Sequence, residues 1–224
     1  MEAVPPIVTL HVWRISSASV PRALVRLSMD RSRGRRTAGV RFAKMLGTGS
    51  SFGVTEADPT RWARLACWTD EGPDPVAAAW DSFAVERCLL TLRPLSSVGR
   101  WSGREPFGHP VATGHTGPVC ALTRARLKPR RARSFWQAVP PVEAALHGSP
   151  GLRASLAVGE APVGLQGTFS VWDDSAALHA FAYDGAAHQQ AMRDTTRLGW
   201  YAESLFARFA LTASEGTLDG RVLA

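Results

Sequence analysis

One histidine, His188, stands where its side chain could ligate a metal or a haem iron. The spacing of apolar residues predicts a helix from about Ala186 to Leu198, and His188 falls in its first turn, near Ala191 and Met192. A neutral imidazole on a rigid helix can offer the lone pair of one ring nitrogen to a metal. The same pattern is more often typical of a capping or surface histidine, so composition alone leaves both interpretations open.

The short motifs of several other enzyme classes are absent from the sequence. There is no Gly-Xaa-Ser-Xaa-Gly nucleophile elbow. Gly47, Gly49 and Gly53 are spaced too irregularly for a dinucleotide-binding loop. His109 and His115 share an irregular segment, and no two histidines have the spacing of a zinc site on one helix face. A cofactor that carries its own chemistry therefore fits better than a catalytic side-chain constellation.

The first half of the chain predicts the order strand, helix, strand, strand, helix, strand. The predicted elements are Ile7–Ile15, Pro21–Asp30, Val40–Leu46, Trp62–Trp68, Asp74–Phe83 and Arg87–Arg93. A loop rich in Gly and Ser, Gly47–Gly53, follows the second strand.

The second half repeats this order, and Trp172 stands at the position that matches Trp68. The predicted elements are Val119–Leu127, Arg130–Leu146, Leu152–Val158, Gln166–Trp172, two helices around Leu178 and His188, and Leu205–Leu211. Asp173 or Asp174 suits the N-cap of the helix around Leu178. Pro140 and Pro141 predict a disturbance in the long helix.

The repeated order is that of the ferredoxin-like, or split βαβ, unit, so the sequence predicts an α+β protein with two such halves. Each sheet carries helices on one face, and we expect the two halves to pack sheet to sheet as a closed or nearly closed barrel. An apolar cofactor could fit between a sheet and its helices, or between the sheets. The expected bounds are residues 1–96 and 118–214 for the halves, 97–117 for a linker and 215–224 for a tail. Trp101 and Phe107 indicate that the linker packs on the core.

Eleven segments, in order along the chain, form a pattern that resembles a known family. They are Arg41–Gly49, Gly99–Gly103, Pro106–Phe107, Gly117–Ala125, Phe135–Trp136, Val139–Pro140, Gly159–Glu160, Thr168–Trp172, Ala187–His188, Leu198–Trp200 and Glu203–Phe209. The ordered set resembles the spheroidene monooxygenase family of carotenoid-oxidising enzymes, and it spans the chain from about Leu10 to Leu211. That family is understood as haem-containing, with a tandem ferredoxin-like fold.

The resemblance implies a haem cofactor with His188 as the axial iron ligand. It implies a haem-dependent monooxygenase that inserts oxygen into an apolar or secondary-metabolite substrate, using an electron donor or peroxide. Two alternatives stay open. One is a non-oxidative haem enzyme similar to aldoxime dehydratase, or a haem-binding protein, on the same barrel. The other is a cofactor-free barrel that binds a small ligand.

Under the same resemblance, polar side chains must contact the cofactor and donate hydrogen bonds to the oxidant. Lys44 and Arg100 are the candidates for cofactor binding. Trp101 and Arg124 are the candidates for catalysis, with Arg208 as the reserve. One position departs from the family, because its members carry Lys in the strand where this chain has Ser155. The departure implies a changed pocket.

The formal net charge is +7, and much of it lies in two basic clusters, residues 31–36 and 124–133. Such a surface can meet nucleic acid, acidic lipid headgroups or the carboxylates of a ligand. No nucleic-acid motif is present, so no nucleic-acid partner is expected. The start of the chain lacks a secretion signal, and the 3 Cys have neither zinc-like nor disulfide-framework spacing. We expect a cytoplasmic monomer or homodimer that can contact a membrane peripherally.

Overall fold

The computed structural model describes residues 2–34, 36–49, 51, 56–70, 72–111, 114–160 and 166–223, with no side chain described at residues 31, 32, 186 and 187. The strands are β1 (Ile7–Ile15), β2 (Val40–Gly49), β3 (Asp58–Trp68), β4 (Ala84–Gly99), β5 (Val119–Leu127), β6 (Leu152–Gly159), β7 (Gly167–Trp172) and β8 (Tyr201–Gly216). The helices are α1 (Val20–Arg33), α2 (Pro75–Asp81), α3 (Ala132–His147), α4 (Ser175–His179) and α5 (Ala186–Leu198), with a π-helical turn, Ala180–Asp184, before α5. Among the described residues, no helix has the length and apolar character needed to cross a bilayer.

Each predicted element is present, and several extend further than predicted. β2 continues to Gly49, so the first residues of the predicted Gly47–Gly53 loop belong to the strand. Residues 50, 52 and 53 of that loop lie outside the described ranges. α3 runs through Pro140 and Pro141, so the predicted disturbance does not end the helix. β4 reaches Gly99 and therefore overlaps the start of the predicted linker.

In the described part of the chain, eight strands close into one barrel in the order β1-β3-β2-β6-β7-β5-β8-β4. Within each half, the first strand lies between the third and fourth, which is the ferredoxin-like arrangement. The halves join through antiparallel β2–β6 and β4–β8 pairs. The predicted α+β fold of two ferredoxin-like halves in a barrel is therefore confirmed. Edge pairing closes the barrel and removes the exposed strand edges that each half would otherwise have.

The barrel interior is packed core. Inward-facing side chains from all eight strands form one cluster, which includes Leu10, Phe42, Leu65, Leu90, Leu122, Leu156, Phe169 and Phe209. Trp101 and Phe107 from the predicted linker are fully buried in the same cluster, as that prediction requires. Leu218 and Leu223 from the predicted tail join it as well. A ligand site must therefore lie outside the barrel wall, under the helices.

Large aromatic rings fill the space between sheet and helices in the first half. The indoles of Trp13 and Trp80 stack with ring centroids 5.4 Å apart, and Trp62 lies 5.8 Å from Trp80. The buried Arg64 donates from Nε to Asp74 Oδ2 at 2.8 Å. Asp74 also accepts from the first backbone N–H groups of α2, so one carboxylate caps the helix and neutralises the buried cation.

The equivalent positions in the second half carry small residues. Ile7 pairs with Trp68 and Val119 pairs with Trp172. Counting along the paired strands then places Ala125 where the first half has Trp13, and Thr168 where it has Arg64. Side chains of this size do not fill the space above this sheet face. A gap therefore remains between the sheet of the second half and its helices.

Candidate active-site cavity

A cavity of about 690 Å³ lies between the outward face of the second half's sheet and the helices that cover it. Ala121, Thr123 and Thr168 form part of its floor. Side chains of α3, the π-helical turn and α5 form the opposite wall. The volume falls within the range of about 300–1,000 Å³ that is typical of cofactor and small-molecule sites.

His188 lines this cavity, and its ring orientation is fixed by one hydrogen bond. Nδ1 lies 2.7 Å from the carbonyl oxygen of Ala182. Because a carbonyl oxygen only accepts, Nδ1 carries the proton and donates it. In the tautomer that this hydrogen bond selects, the lone pair is on Nε2. A metal-ligating histidine has this arrangement, in which the partner of one nitrogen fixes the tautomer that the other nitrogen needs. Phe181 packs against the imidazole with ring centroids 5.0 Å apart.

Local sequence signals place the Ala182 carbonyl beside His188. The Asp174 carboxylate accepts from the backbone N–H of Ala177 at 2.8 Å and so begins α4. The chain then widens into the π-helical turn and breaks at Gly185, whose backbone is extended with ψ 117°. α5 starts immediately afterwards and ends at Gly199, which has the left-handed φ of 57°. His188 is thus held in the first turn of a helix that has defined ends.

Arg208 lines the same cavity as His188. Its NH2 group donates to the Tyr183 hydroxyl at 3.2 Å, and the guanidinium lies 5.7 Å from the centroid of the Tyr183 ring. Tyr183 belongs to the π-helical turn that also supplies the Ala182 carbonyl. One short turn therefore contacts both His188 and Arg208, and the structure brings these two sequence-predicted residues to one site.

Several cavity residues were not singled out from the sequence. Tyr201 is one of them, and burial raises its pKa above 10.0 although a hydrogen bond to Thr195 acts in the opposite direction. The phenol is therefore a neutral hydrogen-bonding group near pH 7. Gln166 and Glu143 also line the cavity. The available signal was the comparison of repeats, because outward positions on β5 and β7 carry smaller side chains than their counterparts on β1 and β3.

Lys44, Trp101 and Arg124 come together, but they do not line this cavity. Trp101 Nε1 and Arg124 NH2 both donate to Glu160 Oε1, at 2.7 and 2.8 Å, and Lys44 Nζ lies 2.6 Å from Glu160 Oε2. Arg124 also pairs with Glu203. We call these five residues the Glu160 network. Arg124 faces the barrel interior as Leu122 does, whereas Thr123 between them faces the cavity, because side chains alternate along a strand.

The Glu160 network holds charged groups at one end of the barrel core. Burial by itself would raise the pKa of Glu160, but hydrogen bonds from Lys44 and Trp101 and the charge of Arg124 lower the pKa below its ordinary value of 4.5. The carboxylate is therefore ionised at neutral pH and, together with Glu203, balances the charges of Lys44 and Arg124. Because the folded-state pKa is depressed, the stabilisation is complete above about pH 4.5 and is lost as the pH falls through the folded-state pKa.

Glu160→Gln is expected to lower the free energy of unfolding by about 2–3 kcal/mol at neutral pH, because hydrogen bonds to charged groups contribute about 1.5–3 kcal/mol each. The deficit should shrink in acid, where the wild-type carboxylate is protonated too. Urea unfolding at about pH 7 and about pH 3 measures both effects. The exposed Glu215→Gln variant is the matched control and should change little. A Glu160→Gln deficit that stays constant with pH would contradict the assignment.

Arg100 and Ser155 complete the set of sequence-predicted positions. Arg100 is largely exposed and lies 3.5 Å from Glu105 in an ion pair, away from the cavity lining. Ser155 pairs across β6 and β7 with Ser170, which does line the cavity. The position that departs from the family therefore shares a sheet face with the cavity wall.

The donor set of the cavity suits haem better than a bare metal ion. Among the described residues, no group of three His, Cys, Asp or Glu side chains could hold a metal. Haem brings its own macrocyclic ligands and needs one axial side chain from the protein. Burial raises the pKa of the Cys67, Cys88 and Cys120 thiols, so these remain protonated in the core rather than serving as thiolate ligands.

The fold and the cavity define a class of protein, the tandem ferredoxin-like α+β barrel with a ligand cavity on one half. The solved structure of an aldoxime dehydratase in complex with butyraldoxime is similar, with a TM-score of 0.54, 12% identity, and coverage of 92% of this chain and 79% of that chain. At this identity the similarity concerns the fold alone. No family model matches the chain.

Sequence relatives identify the family. The chain is 33% identical over 227 residues to the spheroidene monooxygenase of Rhodobacter capsulatus, covering 96% of this chain and 94% of the relative. It is 37% identical over 193 residues to the spheroidene monooxygenase of Rubrivivax gelatinosus, covering 82% and 73%. The chain therefore belongs to the spheroidene monooxygenase family, as its segments predicted, and the protein is an oxidoreductase of the monooxygenase type.

Proposed function

We propose that the protein is a haem-dependent monooxygenase whose cavity would hold the haem, with His188 Nε2 as the side-chain ligand to the iron. The single observation that carries the proposal is the Nδ1–H bond from His188 to Ala182, which leaves Nε2 as a lone-pair donor at a cavity wall. The cavity volume and its small floor residues support it. The resemblance to a family understood as haem-containing points the same way.

Bound haem would supply the activation of dioxygen or peroxide. The role of the protein side chains is to hold the cofactor and to orient the oxidant. His188 keeps one tautomer and one ring orientation through Ala182. The Arg208 guanidinium can donate hydrogen bonds to the oxidant. Donors of this kind matter because a histidine ligand lacks the electron push of a thiolate. Apolar side chains such as Leu178 and Phe181 exclude water from the remaining wall.

Arg208, rather than Trp101 or Arg124, is our catalytic candidate. Arg208 lines the cavity, whereas Trp101 and Arg124 are hydrogen-bonded to Glu160 on the inward side of the barrel wall. We assign Trp101, Arg124 and Lys44 to positioning, since their network ties β2 and β5 to β8, the strand that carries Arg208.

For the substrate we propose a long apolar polyene of the carotenoid type, which the names of the relatives indicate. The lining favours an apolar molecule with few polar handles. Ser155 shares a sheet face with Ser170 at the cavity wall, and its side chain is shorter than a lysine side chain and uncharged. Substrates that differ from spheroidene near this wall are therefore expected to be accepted.

Labelled oxygen gas tests the reaction class. The haem-loaded enzyme with a reductant, and separately with labelled peroxide, should place the label in the product. Arg208→Leu should lower kcat/KM about 100-fold, as the removal of one preorganised donor does, while Arg208→Lys should retain part of the activity. Thr123→Val serves as a control at the same cavity. Turnover without label, at equal rate without oxygen or peroxide, would instead indicate non-oxidative chemistry.

A further inference from the structure

Four large apolar side chains at the cavity are open to solvent. Val98 is 71% exposed, Tyr183 46%, Phe206 45% and Met192 38%, and all four also line the cavity. Val98 and Phe206 are paired across β4 and β8. Tyr183 and Met192 come from the π-helical turn and α5 on the opposite wall. We call these four side chains the apolar rim.

An exposed apolar group around a cavity differs from isolated surface hydrophobics, which are common and need no explanation. Here the exposed side chains come from four separate elements and line one cavity. Exposed apolar side chains that are grouped around a cavity and have polar surroundings mark an interaction site.

Basic side chains predominate on the helical segments next to the apolar rim. Exposed basic residues precede and begin α3 or lie along α5: Lys128, Arg130, Arg131, Arg133, Arg193 and Arg197. The acidic residues of these segments are fewer: Glu143, Asp184 and Asp194. Asp194 is also paired with Arg197 at 2.7 Å. The helical segments that cover the cavity therefore carry an excess of exposed basic side chains.

We infer that the apolar rim docks on the surface of an anionic phospholipid bilayer, with the cavity mouth facing the lipid. Apolar side chains of a peripheral protein enter the boundary between headgroups and acyl chains, while Lys and Arg around them meet the negative headgroups. A second copy of the chain fits this surface less well. Self-association through the rim would bring two positively charged surfaces together.

Docking in this orientation would give an apolar substrate a path that avoids water. This part rests on the proposed function. A cavity of about 690 Å³ that holds haem has room for only a segment of a long polyene. The remainder of the molecule would lie along the apolar rim and extend into the bilayer, so the enzyme could take its substrate without extracting it completely.

Flotation of the full-length chain with phosphatidylcholine vesicles, with and without phosphatidylglycerol, tests the docking. The rim variant is Val98→Thr combined with Phe206→Thr, which keeps strand-forming residues. The matched control is Leu24→Gln combined with Val25→Gln on α1, where the side chains are 48% and 61% exposed and do not line the cavity. A third variant, Arg130→Gln with Arg133→Gln, removes charge alone. Circular dichroism and thermal unfolding establish that each variant is folded.

The wild type should float with phosphatidylglycerol vesicles and bind them about tenfold more tightly than the rim variant, with the α1 control unchanged. The charge variant should bind more weakly at low salt and lose its difference from wild type at high salt. Absence of wild-type flotation, equal loss in the α1 control, or a dimer in solution that the rim variant dissolves would overturn the proposal. Flotation needs no haem, so docking by a chain that shows neither a haem spectrum nor turnover would refute the proposed function and leave the docking in place.

Discussion

His188→Ala is expected to lose the Soret band that the haem-loaded wild type shows, or to shift it strongly. The Nε2 lone pair is the axial donor in the proposed site, and alanine supplies nothing in its place. Monooxygenase turnover should fall by about 1,000-fold or more, since the remaining cavity would bind the cofactor without an orienting bond. Absorption spectra of the reconstituted variant, titrated with haem, measure the loss directly.

Free imidazole added to the His188→Ala protein provides a second test of the ligand assignment. The side chain removed by His188→Ala leaves a space of matching size, so free imidazole should restore a histidine-like spectrum. The control is His147→Ala at the exposed end of α3, which should keep the wild-type spectrum. A His188→Ala protein that binds haem with an unchanged spectrum, with or without imidazole, would rule out His188 as the ligand.

The fold could be predicted from the sequence because its signals are local and repeated. Alternating strands, the capping Asp174 and the breaking residues Gly185 and Gly199 each act within a few positions. The repeat of element order, marked by Trp68 and Trp172, then predicted that two similar halves pack together as a barrel. The continuation of β2 through Gly49 and of α3 through Pro140 depends on tertiary packing, which local propensity does not report.

The structure places some of the predicted site residues together and separates others. His188 and Arg208 lie in one cavity, but Arg124 does not, although Thr123 next to it does. The sequence shows that both residues lie in β5. Deciding which of them faces the helices requires knowing that Leu122 points into the barrel, and this follows from closure of the two sheets. The sequence predicted Trp101 as a hydrogen-bond donor to the oxidant. Its indole N–H instead donates to Glu160 on the inward side of the barrel wall.

The cavity itself follows from a difference between the halves, and this difference can be reversed. Ala125 occupies the position that Trp13 occupies in the first half, where indole rings fill the space under the helices. Ala125 is 5% exposed and lines the cavity. Ala125→Trp should therefore fill the second half's cavity as Trp13 fills the first, and haem affinity should fall by about 100-fold or more, because overlap in a packed site is not relieved by small shifts.

The free energy of unfolding of Ala125→Phe should change little, since the new ring enters existing space and buries apolar area. Trp13 donates its indole N–H to Asp81 at 2.7 Å. Ala125→Trp introduces an indole N–H without a known acceptor, and an unsatisfied buried N–H costs about 1–3 kcal/mol. Ala125→Phe removes that complication and should block haem equally well.

Thr123→Val, which alters polarity at the same wall with little change in volume, should bind haem nearly as the wild type does. Haem titration of all three variants measures the haem affinity, and urea unfolding measures the free energy of unfolding, so the two effects are measured separately. If Ala125→Trp and Ala125→Phe fold normally and bind haem with wild-type affinity, the cofactor cannot lie between this sheet and its helices.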